Sequence, residues 1–471
     1  MKTYYIKTLG CQMNEHDSER IAGMLEKVGY KKAEMVNNFK DVESDIVIIN
    51  TCAVRENAAT RLYGNLGQLL AKKRSNKKMI IGVGGCLAQL DKDKIIKKAP
   101  WVDIVFGTNN LQSLPALIKR VNHNTKNAVE ISQQLKVFPS TLPTIRQNTI
   151  SAWVPISVGC NQKCTFCIVP QLRGQEIDRQ PEDILNEIKA LVNEGFKEII
   201  LLGQNVNSYG LQPSNYQSDK KYNFSKLLNQ VAEIKGLQRL RFMSPHPAGF
   251  TDDVIQVMAK YPNIMPAIHL PLQSGSNKVL KDMKRSYRIN HFKRVVNKLR
   301  LAIPDIEITT DIIVGFPTET QADFEQTLKA IKDINFLSAY TFIYSIRPNT
   351  PAGKLPQLNP DIIQKRFNEL TNLQSQIMLE NHKKYQNKIV KVLVENIKGR
   401  KDKITHRLTG RDKHGILVHF TSNNELKSGQ EIDILINKVA PSHLLGHHIK
   451  NRQSSALKSF NILEKTKQQF N

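Results

Sequence analysis

Short apolar runs alternate with polar, helix-periodic stretches over the first 120 residues. YYIKTL (Tyr4–Leu9), DIVIIN (Asp45–Asn50), MIIGVG (Met79–Gly84) and VDIVFG (Val102–Gly107) read as strands. Helical stretches separate them, among them SERIAGMLEKVGY with Ser18 as N-cap. This alternation predicts an α/β domain over 1–122, a parallel, Rossmann-like sheet with helices on both faces. Residues 123–146 are polar, carry Pro139 and Pro143, and read as a linker. A second strand–helix series follows, with strands WVPISVG (Trp153–Gly159), EIILLGQN (Glu198–Asn205), LRFMS (Leu240–Ser244), AIHLPL (Ala267–Leu272), EITTDIIVG (Glu307–Gly315) and YTFIYS (Tyr340–Ser345). Six βα units over 147–380 predict a barrel, complete or partial, with its ligand face at the C-terminal strand ends. From 381 to 450 short alternating runs (KIVKVLVENI, HGILVHF, GQEIDILINKV) predict a small β-barrel, followed by a basic tail over 451–471.

Charge adds a partner to this outline. Lys+Arg is 68 against 42 Asp+Glu, a net +26, and such an excess favours a polyanion such as RNA. The loading is uneven: from Asn381 onward there are 18 Lys and Arg against 7 Asp and Glu. No apolar run approaches bilayer length, and MKTYYIKTLGC lacks the apolar core of a signal peptide. The expected compartment is the cytoplasm, with no membrane partner, and there thiols stay reduced.

The chain has six cysteines, and three of them, Cys160, Cys164 and Cys167, form a C-x3-C-x2-C set just past the first predicted barrel strand. Structural zinc takes four closed ligands, and no fourth Cys or His lies near this loop. An iron–sulfur cube held by three cysteines leaves one iron open for a cofactor. The spacing favours a cluster and leaves zinc as the alternative. The other three, Cys11, Cys52 and Cys86, each follow a predicted strand of the N-terminal sheet, so a parallel sheet delivers them to one rim. The alternative is three unrelated buried thiols. LLGQN, LPLQSGS and IVGFP place small or polar residues at strand ends, which makes Gly203, Gln204, Gln273, Ser274 and Gly315 the candidate cofactor contacts.

The C-x3-C-x2-C loop after a first barrel strand resembles the radical S-adenosylmethionine (SAM) enzymes. The chain as a whole is similar to the methylthiotransferase family of that superfamily. The likeness runs in order through TLGCQMNEHDSERI, INTCAVRENA, GVGGCLAQ, GCNQKCTFCIVPQLRG, LLGQNVNSYG, HLPLQSGSNKVLKDMKR and TDIIVGFPTET. Its last part resembles the small RNA-binding barrel called TRAM. TLGCQMN and AVREN resemble the MiaB-type branch, which methylthiolates isopentenylated adenosine beside the anticodon of tRNA. The branch acting on threonylcarbamoyl-adenosine tends to read CKVN at that place, and the branch acting on an aspartate of a ribosomal protein CPKN. One departure is Asp178 in RGQEIDR, where relatives often carry Ser.

The resemblance implies a partial (βα)6 TIM barrel as radical SAM core and two [4Fe–4S] clusters. Cys160, Cys164 and Cys167 are implied as the catalytic set, holding the cluster that binds and cleaves SAM. Cys11, Cys52 and Cys86 are implied as ligands of a second cluster, where the inserted sulfur resides. A second SAM supplies the methyl group. The implied partners are the anticodon stem-loop of tRNA, an electron donor and a sulfur source, with the enzyme acting as a monomer. Lys398, Arg400, Lys401, Arg407 and Arg411 are the candidate RNA contacts. Three alternatives remain open at this point: a threonylcarbamoyl-adenosine substrate, a ribosomal-protein substrate, and a zinc-stabilised RNA-binding protein without catalysis.

Overall fold

A computed structural model describes residues 1–449, apart from 35–38, 55–56, 124–126, 133–134, 136–137, 212–221 and 396–401. The first sheet is built from β1 (Thr3–Leu9), β2 (Lys31–Lys32), β3 (Ile46–Thr51), β4 (Ile80–Gly85), β5 (Ile104–Phe106) and β6 (Ala128–Glu130). All pairings are parallel, in the order β2-β1-β3-β4-β5-β6. Side chains alternate across the sheet with period two. Ile46 and Ile48 therefore pack with Ile21 and Leu25 of helix α1 (Gln12–Lys27), while Val47 and Ile49 meet Leu62, Leu66 and Leu69 of α2 (Ala58–Ser75). Each such fully buried Ile or Leu stabilises the fold by about 1.5–3 kcal/mol.

Two expectations are corrected. Ser18 is not an N-cap: α1 begins at Gln12, capped by Cys11, and Ser18 lies buried within it. The stretch read as a linker supplies β6, the edge strand paired with β5. Ser18 is held inside by hydrogen bonds from Thr8 and Asn50, whereas Ala128–Glu130 is recruited as the sheet edge beside β5.

The central unit holds β7 (Ser151–Pro155), β8 (Ser157–Val158), β9 (Ile177–Asp178), β10 (Glu198–Leu202), β11 (Arg239–Phe242), β12 (Ala267–His269), β13 (Glu307–Val314) and β14 (Ser338–Ile343). Two parallel sheets, β11-β10-β7 and β12-β13-β14, are joined by the bridge Leu240–Ile264 into a partial barrel. Among the described residues β7 and β14 have no partner on their outer sides, so the barrel is open between them. The predicted strand 153–159 ends early, at Pro155, and resumes as β8, which pairs antiparallel with β9.

After the helix Pro360–Lys383, strands β15 (Ile389–Glu395), β16 (Leu408–Asp412), β17 (Leu417–Thr421), β18 (Glu431–Val439) and β19 (Leu444–His448) close a five-stranded barrel in the order β15-β16-β17-β19-β18. It docks at the N-terminal ends of the central strands. Arg239 of β11 pairs with Glu431 at 2.5 Å and donates to the Arg411 and Asp412 carbonyls. A cavity of about 770 Å³ lies between the two barrels, lined in part by Glu307, Tyr385 and His414. No described helix is long and apolar enough to cross a membrane.

Candidate active site

Cys11, Cys52 and Cys86 follow β1, β3 and β4, three adjacent strands, so one rim of the sheet carries all three. Cys11 caps α1, with Asn14 Oδ1 accepting from its backbone N–H at 3.3 Å and its thiol at 3.4 Å. The Cys52 N–H donates to the Leu9 carbonyl at 2.9 Å, tying the second cysteine to the first strand. Gly85, at φ +93, makes the turn before Cys86, and a Cβ there would sit 2.3 Å from Asn50 Oδ1, so only glycine fits. The Cys52 thiol donates to Cys11, which with the nearby Arg173 lowers the Cys11 pKa to about 5, while the Cys52 thiol is pushed up by that same pairing and by burial. Burial also raises Cys86, against the pull of Arg173.

The second set sits on the loop after β8. Gly159, at φ +83, could carry no Cβ, which would lie 2.1 Å from the Gln175 carbonyl oxygen, and its N–H donates to Gln204 Oε1 at 2.8 Å. Thr165 pins the loop from both sides: its N–H and hydroxyl donate to the Met283 and Asp282 carbonyls, and its own carbonyl accepts from Ala352. Arg285 donates from Nη1 to Cys164 Sγ at 3.4 Å and is itself oriented by the Tyr287 hydroxyl at 3.1 Å. Burial pushes Cys160 up to about 11 and Cys167 to about 12.

One short helix, Val169–Arg173, connects the two sets. Its start follows Cys167, and at its end Arg173 reaches Asp17 of α1 at 2.8 Å, both side chains 7% exposed. Ile168 and Leu172 pack in the same apolar cluster as Cys86 and Leu87. The two cysteine sets thus stand on either side of one buried contact, each with a guanidinium beside it. Thiols such as Cys86, Cys160 and Cys167, which burial holds protonated beside fixed cations, are what iron binding deprotonates and neutralises. Among the described residues no three His, Cys, Asp or Glu side chains converge on one point as ligands of a single ion do. A cube spreads its thiolates over separate irons and needs no such convergence. The donor sets fit clusters.

The candidate cofactor residues lie at the C-terminal ends of β10, β12 and β13. Gly203 leaves only 2.8 Å between its would-be Cβ and Ser157 Oγ. Gln204 faces the cysteine loop through Gly159. Gln273 (φ +72) bridges to Ile312 of β13, and Gly315 (φ +76) follows the end of that strand. The Ser274 hydroxyl is engaged by Thr327 and the Ser276 N–H. Arg407 is half-buried before β16, and Arg411 pairs with Glu395 at 3.3 Å. Lys398, Arg400 and Lys401 lie outside the described residues. Sequence reasoning singled out neither Arg285 nor the Arg173–Asp17 pair; a charged residue gives no periodic signal of its own.

Asp178, the departure noted above, is buried beside this loop. Oδ2 accepts from the Gly210 N–H at 2.9 Å, Oδ1 has no partner among the described residues, and burial pushes its pKa up to about 6. The folded carboxyl keeps its proton where the unfolded one, at about 3.8, has lost it. Stability therefore falls as pH rises through that window. Asp178→Asn, which keeps an acceptor for Gly210, is expected to exceed the parent by about 1–3 kcal/mol at pH 8 and by nothing near pH 4. Urea unfolding of both chains at the two pH values checks this.

Residues 3–107 match the Uncharacterized protein family UPF0004, and residues 154–331 match the Radical SAM superfamily. The chain is 52% identical over 449 residues to the tRNA-2-methylthio-N(6)-dimethylallyladenosine synthase of Saccharopolyspora erythraea, across 94% of this chain and 89% of that one. It is 54% identical over 448 residues to the synthase of the same name from Arthrobacter sp., across 94% and 84%. Among solved structures it is similar to the radical S-adenosylmethionine methyltransferase TsrM of Kitasatospora setae, with a TM-score of 0.55 over 75% of each chain at 13% identity, a likeness of fold alone.

Proposed function

Because the chain belongs to the family of tRNA-2-methylthio-N(6)-dimethylallyladenosine synthases, we infer that it replaces the hydrogen on C2 of N6-(dimethylallyl)adenosine in tRNA with a methylthio group. It is a transferase that uses SAM and [4Fe–4S] clusters. In this reading Cys160, Cys164 and Cys167 hold one cluster and Cys11, Cys52 and Cys86 the other. When bound, the first supplies the electron that cleaves SAM to a radical, and the second supplies the sulfur.

The chain's own residues do the positioning. Arg285 and Arg173 place a cation beside each thiolate set, which favours the ionised ligands. Gln204 and Gly159 fix the cysteine loop against the end of β10. Ile168 and Leu172 exclude water from the contact between the sets. The closed C-terminal barrel, with Arg407 and the basic residues before it, holds the anticodon stem by its phosphates. The enzyme works in the cytoplasm as a monomer, with an electron donor and a sulfur source. The observation that carries this reading is that two three-cysteine sets together use every cysteine in the chain, and that Ile168 and Leu172, just past Cys167, pack in one apolar cluster with Cys86.

The test is a reaction of the reconstituted chain with SAM, a reductant and tRNA from cells lacking the enzyme, followed by mass analysis of nucleosides. Dimethylallyladenosine is expected to become its 2-methylthio derivative. Modification of threonylcarbamoyl-adenosine instead, or no change in tRNA, overturns the reading.

A further inference from the structure

Tyr340 and Phe342 are 56% and 51% exposed, unusual for large aromatic side chains on a barrel strand. Their direction follows from period two. Ala339, the residue before Tyr340, packs on the helix-covered core, so Tyr340 and Phe342 point the other way, to the inside of the partial barrel. The register places Tyr340 beside Asp311 and Phe342 beside Ile313. Thr309 stands beside His269 on the next strand.

These side chains form one continuous face. His269 Nε2 lies 3.2 Å from Asp311 Oδ2, its Nδ1 lies 3.0 Å from Thr309 Oγ1, and the Tyr340 ring meets its edge at 5.7 Å between centroids. Higher up, Ile313 packs against the cluster of Phe316 and Tyr344, which also takes Phe166. Phe166 sits between Cys164 and Cys167. An apolar file therefore leads from the middle of the barrel to the cysteine loop. Because β14 borders the opening of the barrel, a base carried on an RNA loop reaches this face from the side.

We propose that the inner face of β12–β14 is the pocket for the dimethylallyl-bearing adenine. Tyr340, Phe342 and Ile313 enclose the branched alkenyl chain, and Asp311, held by His269, accepts the N6–H. The proposal rests on the substrate reading above and sharpens it. Of the residues on this face, His269, Thr309, Asp311, Ile313, Tyr340 and Phe342, one is a carboxylate and none is Lys or Arg. A threonylcarbamoyl group and an aspartate side chain each bring a carboxylate of their own, which Asp311 repels. A neutral, apolar branch meets no such penalty and gains from burial against two aromatic rings.

The experiment measures binding of the cluster-loaded full chain to two synthetic anticodon stem-loops, one with N6-(dimethylallyl)adenosine and one with unmodified adenosine. Wild type is expected to prefer the dimethylallylated RNA. Phe342→Ala and Tyr340→Ala are each expected to reduce that preference on the order of tenfold. Affinity for the unmodified RNA stays unchanged, since the phosphate contacts are elsewhere. Phe342→Leu, which restores apolar bulk, is expected to recover most of the preference, and iron content reports that the variants still fold. Variants that discriminate as wild type does overturn the pocket while leaving the substrate reading intact. A wild type that makes no methylthio product and shows no preference overturns both.

Discussion

Anaerobic reconstitution of the full chain with iron and sulfide is expected to load about eight of each, and the Cys160/Cys164/Cys167→Ala variant about four, with all methylthiolation lost. The reason lies in the geometry of the two sets. Each offers three partly or fully buried thiols and one guanidinium, and each belongs to a different folding unit. The β8 loop can be emptied of ligands without touching the rim of β1, β3 and β4. The Cys11/Cys52/Cys86→Ala variant is the mirror experiment: it should also keep about four irons, and should still cleave SAM while transferring no sulfur. Zinc in place of iron, or a full iron load that survives loss of the N-terminal cysteines, sinks the two-cluster assignment.

Arg173→Met is expected to destabilise the protein by about 3–5 kcal/mol, the cost of leaving a buried charge unpaired. Arg173 and Asp17 meet at 2.8 Å with side chains 7% exposed, and Arg173 is also the cation beside Cys11 and Cys86. Removing it strands the Asp17 carboxylate among thiols that become thiolates on loading. The shift is read as a lower urea midpoint with an unchanged slope. A second readout separates electrostatics from packing: loss of a nearby positive charge should make the N-terminal cluster harder to reduce, lowering its potential, while the other cluster is unmoved. Arg173→Lys keeps the charge but loses the planar fork, so it should recover potential better than stability. Unfolding at the parent's urea concentration would show that the pair does not hold the two units together.

Much of this was legible before any coordinates. The ten strands expected in the first two units stand within a few residues of where apolar runs placed them, because a strand that buries at least one face must be apolar at every second position or more. The cysteine positions, the glycines that turn into them and the small closed barrel were equally plain. Less legible were α1 and the stretch before β7. QMNEHDSER looks like a polar lead-in, yet Asn14, His16, Asp17, Ser18, Glu19 and Arg20 are all buried. Their partners, Arg146, Arg173 and Arg179 among them, come from more than a hundred residues away.

The sequence by itself determined the three units, their order, and which thiols could act as ligands, since periodicity and spacing are local properties of the chain. Only the tertiary structure decided that Arg173 and Arg285 are the cations of the two sets, that the C-terminal barrel docks at the strand ends opposite the cysteines, and that Tyr340 and Phe342 face an open interior. Those outcomes depend on long-range packing. A charge or an aromatic ring carries no mark of which distant neighbour will bury it, pair with it or leave it exposed.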